Sequence, residues 1–317
     1  MLKGIIDKVM ANQSVIDKIN IAGTHLNIGN DVSYADPLVN GPHHVIPVGD
    51  DCAAIPDGHG GYLLFAAEGM ISSFAEISPW FAGYSAVMVN ISDVCAMGGL
   101  PLAVTDVIWI KDESQGQELW AGMQAASKAY GVPIVGGHTC YRSESKHLAV
   151  SILGKANKLL TSYDAKPGDT LMIAIDLNGS YYEHYPFWNA STTATPRHLQ
   201  QIIKLMHQLA EKDLSIAAKD ISMGGIIGTM AMLMHTSKVG ATINLDKIPK
   251  PAEVAWEKWL VSFPSFGYLF TCRPEGQPEI ENLFASEKIS CEAIGEIING
   301  SMMAVSYQDE KINIELN

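Results

Sequence analysis

The sequence predicts an α+β protein built as two domains. Three observations carry that reading. The chain has 317 residues, more than one hydrophobic core holds before it divides, which is about 250–300 residues. Apolar segments of helical period mix with β-branched runs in both halves, without the strict strand–helix alternation of a doubly wound sheet. Between the halves, residues 157–169 (NKLLTSYDAKPGD) are polar, and Pro167-Gly168 starts neither a helix nor a central strand. The expected domains are therefore residues 1–157 and 158–317.

Residues 2–19 carry Ile5, Ile6, Val9, Met10, Val15, Ile16 and Ile19 at helical spacing, with a slip near Asn12. Residues 21–47 are rich in Gly, Asn, Asp and Pro and predict a loop. The run VGDDCAAIP, a Gly-rich turn over residues 57–61 and a strand over 62–66 follow. Tyr84, Val87, Met88, Ile91 and Cys95 then mark one side of a helix. Residues 102–110 predict a strand, 116–130 a helix, and 132–135 and 147–153 two further strands. In the second half, residues 171–175 predict a strand and 178–195 a polar, aromatic loop. Pro196 opens a helix with Leu199, Ile202, Ile203, Met206 and Leu209 on one face. After AKDISMGG comes a helix carrying Ile226, Ile227, Met230, Leu233 and Met234. The last predicted strands cover 241–245, 268–272, 293–298 and 302–307.

Composition narrows the function. Acidic residues number 34 against 21 basic ones, a formal net charge of −13. Such a surface repels phosphate backbones and argues against nucleic acid as a partner. A divalent cation bridging carboxylates to phosphate reconciles an acidic protein with nucleotide chemistry. No apolar run approaches the roughly 20 residues of a membrane helix, and the opening MLKGIIDKVMANQ lacks the features of a signal peptide. Cys52, Cys95, Cys140, Cys272 and Cys291 are scattered, without a CxxC pair. They predict reduced thiols and a cytoplasmic protein with no membrane partner.

Neither a GxxxxGK[ST] loop nor a GxGxxG after a strand occurs, and GxSxG and HExxH are absent too. The positive signal is a set of acids at the ends of elements. Asp50-Asp51 follows Gly49, and Glu68 closes a strand with Gly69 after it. Asp93, in VNISDVCAMGG, shares a helix face with Asn90, and Asp220 precedes Ser222 and Gly224-Gly225 at a helix start. Carboxylates converging in this way suit magnesium, which prefers hard oxygen ligands. Taken singly, the acids also read as a turn, a solvated helix face and an N-cap.

The ordered segments VGDDCAAI, VNISDVCAMGGLP, VPIVGGHT, AKPGD, AKDISMGG and EAIGEI resemble the aminoimidazole-ribonucleotide-synthetase superfamily, and look most like thiamine-monophosphate kinase. The resemblance runs from about residue 45 to 300. It implies an N-terminal sheet domain that pairs with its twin through its strands as a homodimer, and a C-terminal α+β domain. It also implies ATP and Mg2+ as cofactors. Position by position, it makes Asp51, Glu68, Asp93 and Asp220 metal ligands, with Asn90 and Ser92 shaping their site. Gly136 and Gly137 would let the backbone approach nucleotide phosphate. Ser222 would meet phosphate at a helix start.

The sequence departs from the kinase at four places. S/T-T-D reads Ala66-Ala67-Glu68, GGDT reads Gly136-Gly137-His138-Thr139, and SDG reads Ser222-Met223-Gly224. GGEDYEL becomes FPSFGYLF at residues 263–270, without its acids. These losses imply fewer metals. His138 is a poor magnesium ligand but a suitable donor to a phosphate oxygen, a catalytic role, and reads equally as a satisfied polar residue in a tight loop. Three functions follow: phosphotransfer from ATP to a small-molecule acceptor, an ATP-dependent cyclo-ligase, or nucleotide binding without turnover. The acceptor is expected between the domains, against Tyr181, Tyr182, Tyr185, Phe187 and Trp188. These rings either stack on a heterocycle or anchor their loop to the core.

Overall fold

A computed structural model describes residues 1–28, 33–34, 44–45 and 49–315. Two helices open the chain, α1 (Leu2–Met10) and α2 (Gln13–Ile28). The slip predicted near Asn12 is a real break, where the Asn12 side chain accepts from the Ser14 N–H at 3.0 Å and caps α2. Residues 21–28, expected in a loop, continue α2. Of the rest of that segment, the paired strands β1 (Ser33–Tyr34) and β2 (His44–Val45) are described, while 29–32, 35–43 and 46–47 lie outside the described residues.

The first sheet grows from β3 (Ala53–Pro56), β4 (Tyr62–Met70), β5 (Leu100–Trp109), β6 (Ile134–Cys140) and β7 (His147–Ala156). Their order is β3-β4-β7-β5-β6, antiparallel except for the β5–β6 edge. Helices α3 (Ser72–Ile77) and α4 (Pro79–Ala96) follow β4, and α5 (Glu113–Tyr130) follows β5. Strand β4 runs past Ala66, so Glu68 lies within it rather than at its end. On β7, Leu148, Val150 and Ile152 are buried against α4, while Leu63, Phe65, Trp109 and Leu153 stand exposed on the opposite face.

Helix α4 has no solvated face. Every residue from Phe81 to Ala96 is buried, because the helix packs on β4 and β7, against α5 and onto the second sheet.

The second half contributes β8 (Thr170–Ile175), β9 (Ser180–Tyr181), β10 (Phe187–Asn189), α6 (Pro196–Ile202), α7 (Leu205–Glu211), β11 (Ala217–Asp220) and α8 (Gly225–Ser237). It continues with β12 (Gly240–Asn244), α9 (Trp256–Trp259), β13 (Phe263–Pro264), β14 (Gly267–Cys272), α10 (Gln277–Ser286), β15 (Ser290–Ile298), β16 (Met302–Tyr307) and β17 (Glu310–Glu315). The larger sheet has the order β11-β14-β8-β15-β12-β16-β17, and β13-β10-β9 form a small one. Strands β8 and β14 are apolar along their length because both faces are covered. Met172, Ala174, Tyr268 and Phe270 join the core of the first half, whereas Leu171, Ile173, Ile175 and Leu269 pack with α8 and α1. Helix α1, first in the chain, thus packs against the second sheet. Among the described residues, no helix is long and apolar enough to cross a membrane.

Candidate active site

Where α4 meets β11, acids from distant parts of the chain converge. Asp51 precedes β3, Asp93 lies in the last turn of α4, and Asp220 ends β11. One carboxylate oxygen of each lies within 4.8 Å of the others. Asp93 and Asp220 are buried, at 7% and 4% exposure. The Asp93 Oδ2 atom is enclosed with no hydrogen-bond partner among the described residues, a costly state for a carboxylate oxygen unless a cation answers it. The set offers hard oxygen donors only, so the residues present fit a magnesium-type ion.

Local geometry explains the convergence. Asp50 caps its own turn by accepting from the Asp51 N–H at 3.0 Å, and it crosses to the second half by accepting from the Ser162 N–H at 2.8 Å. The Asp220 N–H donates to Asp51 Oδ2 at 3.4 Å. Beyond Asp220 the chain must turn from β11 into α8. Gly225 has φ of 62°, and a Cβ there would sit 2.5 Å from the Leu260 carbonyl oxygen, so only glycine fits.

Two lysines stand among these acids. Lys219, 3% exposed on β11, ion-pairs with Asp51 Oδ1. Lys18 reaches in from α2 and donates to Ser222 Oγ. Burial, then the neighbouring Asp51 charge, pushes Asp50 up to about 6 and Asp220 up to about 7. Burial, reinforced by Asp220, holds Asp93 well above the usual carboxylate range. Burial raises Glu68 as well, with Lys18 opposing and Asp51 adding to it. Burial lowers Lys18. It opposes charge on Lys219 too, but the carboxylates of Asp51, Asp50 and Asp220 outweigh it and hold that ammonium above its ordinary value.

The acids open into a cavity of about 400 Å³ whose lining includes Glu68, Lys18, Lys219 and Ser222. Helix α4 presents Phe81, Ser85, Met88, Val89 and Asp93 to it along one stripe. Asn90 and Ser92 do not line it. Asn90 is fully buried and donates to the Ala86 carbonyl at 2.8 Å, and Ser92 hydrogen-bonds the Tyr268 phenol. They fix the packing of the helix that carries Asp93.

Gly136, Gly137 and His138 are not brought to this cavity within one chain. They lie on β6, the far edge of the sheet from β4 by way of β7 and β5. Register places Glu68, Val150, Asp106 and Gly137 on one face, and Gly69, Ala149, Val107 and His138 on the other. His138 therefore points away from the face that bears Glu68, and about 14 Å of sheet separates their strands. Gly137 makes room for a neighbour instead, since a Cβ there would lie 2.5 Å from Asp106 Oδ2.

The aromatic loop divides. Tyr182 stacks on Phe81 at 3.7 Å, Tyr185 lies parallel to Phe187 at 5.6 Å, and Lys258 Nζ stands 3.5 Å over the Tyr181 ring. These three tyrosines anchor the loop, whereas Phe187 and Trp188 line the cavity. Sequence reasoning missed Lys18, Lys219 and the buried role of Asp50. A lysine inside the short apolar run SIAAKDIS was the available signal for Lys219, but nothing set Lys18 apart from an ordinary surface-helix lysine.

Two α+β halves joined over an acid-lined cavity define the class of architecture to which the chain belongs. Residues 49–156 match the model of the AIR synthase related protein N-terminal domain, and residues 166–308 that of its C-terminal domain. The chain belongs to the AIR synthase related family. It is 47% identical over 271 residues to an uncharacterized protein of Synechocystis sp., covering 85% of this chain and 84% of that one. A protein of Methanocaldococcus jannaschii, also uncharacterized, is 33% identical over 314 residues, or 98% of this chain and 95% of its own. The thiamine-monophosphate kinase of Pyrococcus horikoshii is 29% identical over 187 residues, 56% of this chain and 59% of the kinase. Among solved structures, T. maritima PurL complexed with ATP superposes with a TM-score of 0.71 at 20% identity, covering 81% of this chain and 44% of PurL. AaThiL complexed with AMPPCP and TMP gives 0.64 at 20% identity, over 82% and 89% of the two chains. These structural likenesses establish the fold, and this chain spans less than half of PurL.

Proposed function

We propose that the protein is an ATP- and Mg2+-dependent phosphotransferase acting on a small molecule, with thiamine-monophosphate kinase its nearest analogy. The observation that carries the reading is the buried Asp51–Asp93–Asp220 cluster, with Asp93 Oδ2 unpartnered, at one end of a cavity. Asp51, Asp93 and Asp220 would hold the metal, with Glu68 beside them. When bound, the ion neutralises phosphate charge and orients the terminal group for in-line transfer. Lys219 fixes and balances Asp51. Lys18 and Ser222 offer donors to a phosphate oxygen near the start of α8. Enclosure by α4 and β11 keeps water from the acids.

The lysines also bear on metal count. Asp50, Asp51, Glu68, Asp93 and Asp220 against Lys18 and Lys219 give 5 − 2, or three formal negative charges. One divalent ion brings that set close to neutrality, in keeping with the acid missing at Met223. A homodimer formed across the exposed face of the first sheet would cover Leu63, Phe65, Trp109 and Leu153. His138, on that same face, then belongs to the interface rather than to its own chain's cavity. The acidic composition and scattered thiols support a cytoplasmic protein with neither nucleic acid nor membrane as partner.

Isothermal titration with MgATP tests the reading: tight binding in wild type and none in Asp93→Ala is expected, and unchanged binding in the variant refutes it. Release of ADP with a phosphorylated acceptor separates this function from a cyclo-ligase, which releases ADP and free phosphate. Binding without ADP release across a broad acceptor panel would instead identify a nucleotide-binding protein without turnover.

A further inference from the structure

The far end of the cavity differs from its acidic end. Met70, Phe74, Phe81, Met88, Phe187 and Phe263 line it. Phe74 stands edge-on to Phe187 at 5.5 Å, and Phe187 edge-on to Phe263 at 5.8 Å. The ring positions thus come from four separate elements, α3, α4, β10 and β13. Phe263 and Ser265 belong to FPSFGYLF, so the segment that lacks the kinase's acids contributes one of the rings at this end.

Among the described residues, the cations lining the cavity are Lys18 and Lys219, and both are engaged at the acidic end, on Ser222 and Asp51. Residues 22–48 contain no Lys or Arg, and their basic side chains are His25, His43 and His44. Of the polar groups near the rings, Ser85 offers one hydroxyl, and Asn189 and Ser265 are largely engaged. Asn189 Oδ1 accepts from the Ser191 and Thr192 N–H groups, each at 3.1 Å, Asn189 Nδ2 donates to Thr192 Oγ1 at 2.6 Å, and Ser265 Oγ accepts from the Ala190 N–H at 2.9 Å. An adenine ring, with an exocyclic amine and ring nitrogens to satisfy, finds few partners among them. A flat ring with little hydrogen-bonding demand gains aromatic contact without that loss.

We infer that this end holds the body of the acceptor, and that this body is an uncharged aromatic ring whose reacting oxygen reaches the acids. The inference rests on the phosphotransferase reading. It disfavours acceptors that carry a phosphate remote from the reacting atom, as a ribonucleotide does, because no cation among the described residues lining the rings answers that charge.

The test is saturation-transfer NMR with MgADP present. Its probes are 2-naphthylmethanol, 4-(trifluoromethyl)benzyl alcohol and 4-(hydroxymethyl)phenyl phosphate. The neutral alcohols are expected to bind wild type, and the remote phosphate to bind at least tenfold more weakly. Met70→Lys, which adds a cation at this end, is expected to tighten the phosphate probe at least tenfold, a gain that misfolding cannot imitate. Equal binding of phosphate and neutral probes, displacement of the neutral probes by adenosine, or no neutral binding in a protein that still takes MgATP each overturns the inference. Loss of MgATP binding itself refutes the underlying reading instead.

Discussion

Replacing Lys219 by methionine tests whether the acids are held together by a resident counter-charge. The lysine and Asp51 side chains are 3% and 6% exposed, and Met keeps most of the aliphatic stem while deleting the ammonium. Asp51, Asp50 and Asp220 then face one another without it. Breaking a buried pair from one side costs about 3–5 kcal/mol, because the remaining charge is left uncompensated. At about 2 °C per kcal/mol for a chain larger than 150–250 residues, the metal-free protein should melt roughly 6–10 °C lower. The assay is thermal unfolding of both proteins in EDTA and again in Mg2+. Magnesium should stabilise Lys219→Met more than wild type, since the ion supplies the missing positive charge. A melting point in EDTA within about 2 °C of wild type, or an equal magnesium shift in both proteins, refutes the reasoning.

Asp93→Asn should abolish Mg2+ binding by calorimetry yet raise the metal-free melting point, because a neutral amide replaces an unpartnered buried carboxylate; a lower melting point in EDTA counts against it. Metal-free stability should fall as pH rises from about 4 through 7. Asp50 and Asp220 have folded values raised to about 6 and about 7, above the roughly 3.9 of an unfolded Asp. Their contribution is thus full below that value and lost as pH climbs through the folded ones. Melting points measured against pH in EDTA check the sign, and Mg2+ should flatten the slope. Phe65→Asp, at a residue 50% exposed on the first sheet, should leave MgATP binding by the single chain intact but yield monomers in sedimentation; an unchanged dimer argues against pairing through that face.

Much of the fold was legible because burial leaves a period in the sequence. The alternation along β7 and the apolar run of β8 each announced a strand, and Pro196 announced a helix. What escaped did so for identifiable reasons. Strand β11 is four residues, Ala217–Asp220, and its Lys and Asp disguise a fully buried segment. Helix α4 showed one apolar side in its sequence, and its Asn90, Ser92 and Asp93 suggested a polar face in water. That face is covered by β11 and the first sheet, and burial of this kind depends on a partner far away in the chain.

The candidate site divides along the same line. Asp51, Asp93 and Asp220 were singled out by residue type and by resemblance, and the fold brings their oxygens together. Resemblance alone could not place His138, because a motif fixes order along the chain and not the face of a sheet. Register decides that. One strand position separates Gly137, on the Glu68 face, from His138 on the other, and a single step in a period of two turns a side chain through the sheet. Lys18 and Lys219 show the complementary failure. Lys18 is an unremarkable lysine in sequence and Lys219 is marked only by its short apolar run, and each matters because Asp51, far away in the chain, is brought to it. A site whose negative charge is balanced partly by lysines needs less metal, and a cavity whose described lysines both stand at its acidic end has none to spare for its far end. On the proposed reading, the missing acids at Met223 and residues 263–270 therefore act in one direction: toward a lighter metal load and an acceptor recognised by aromatic contact rather than by charge.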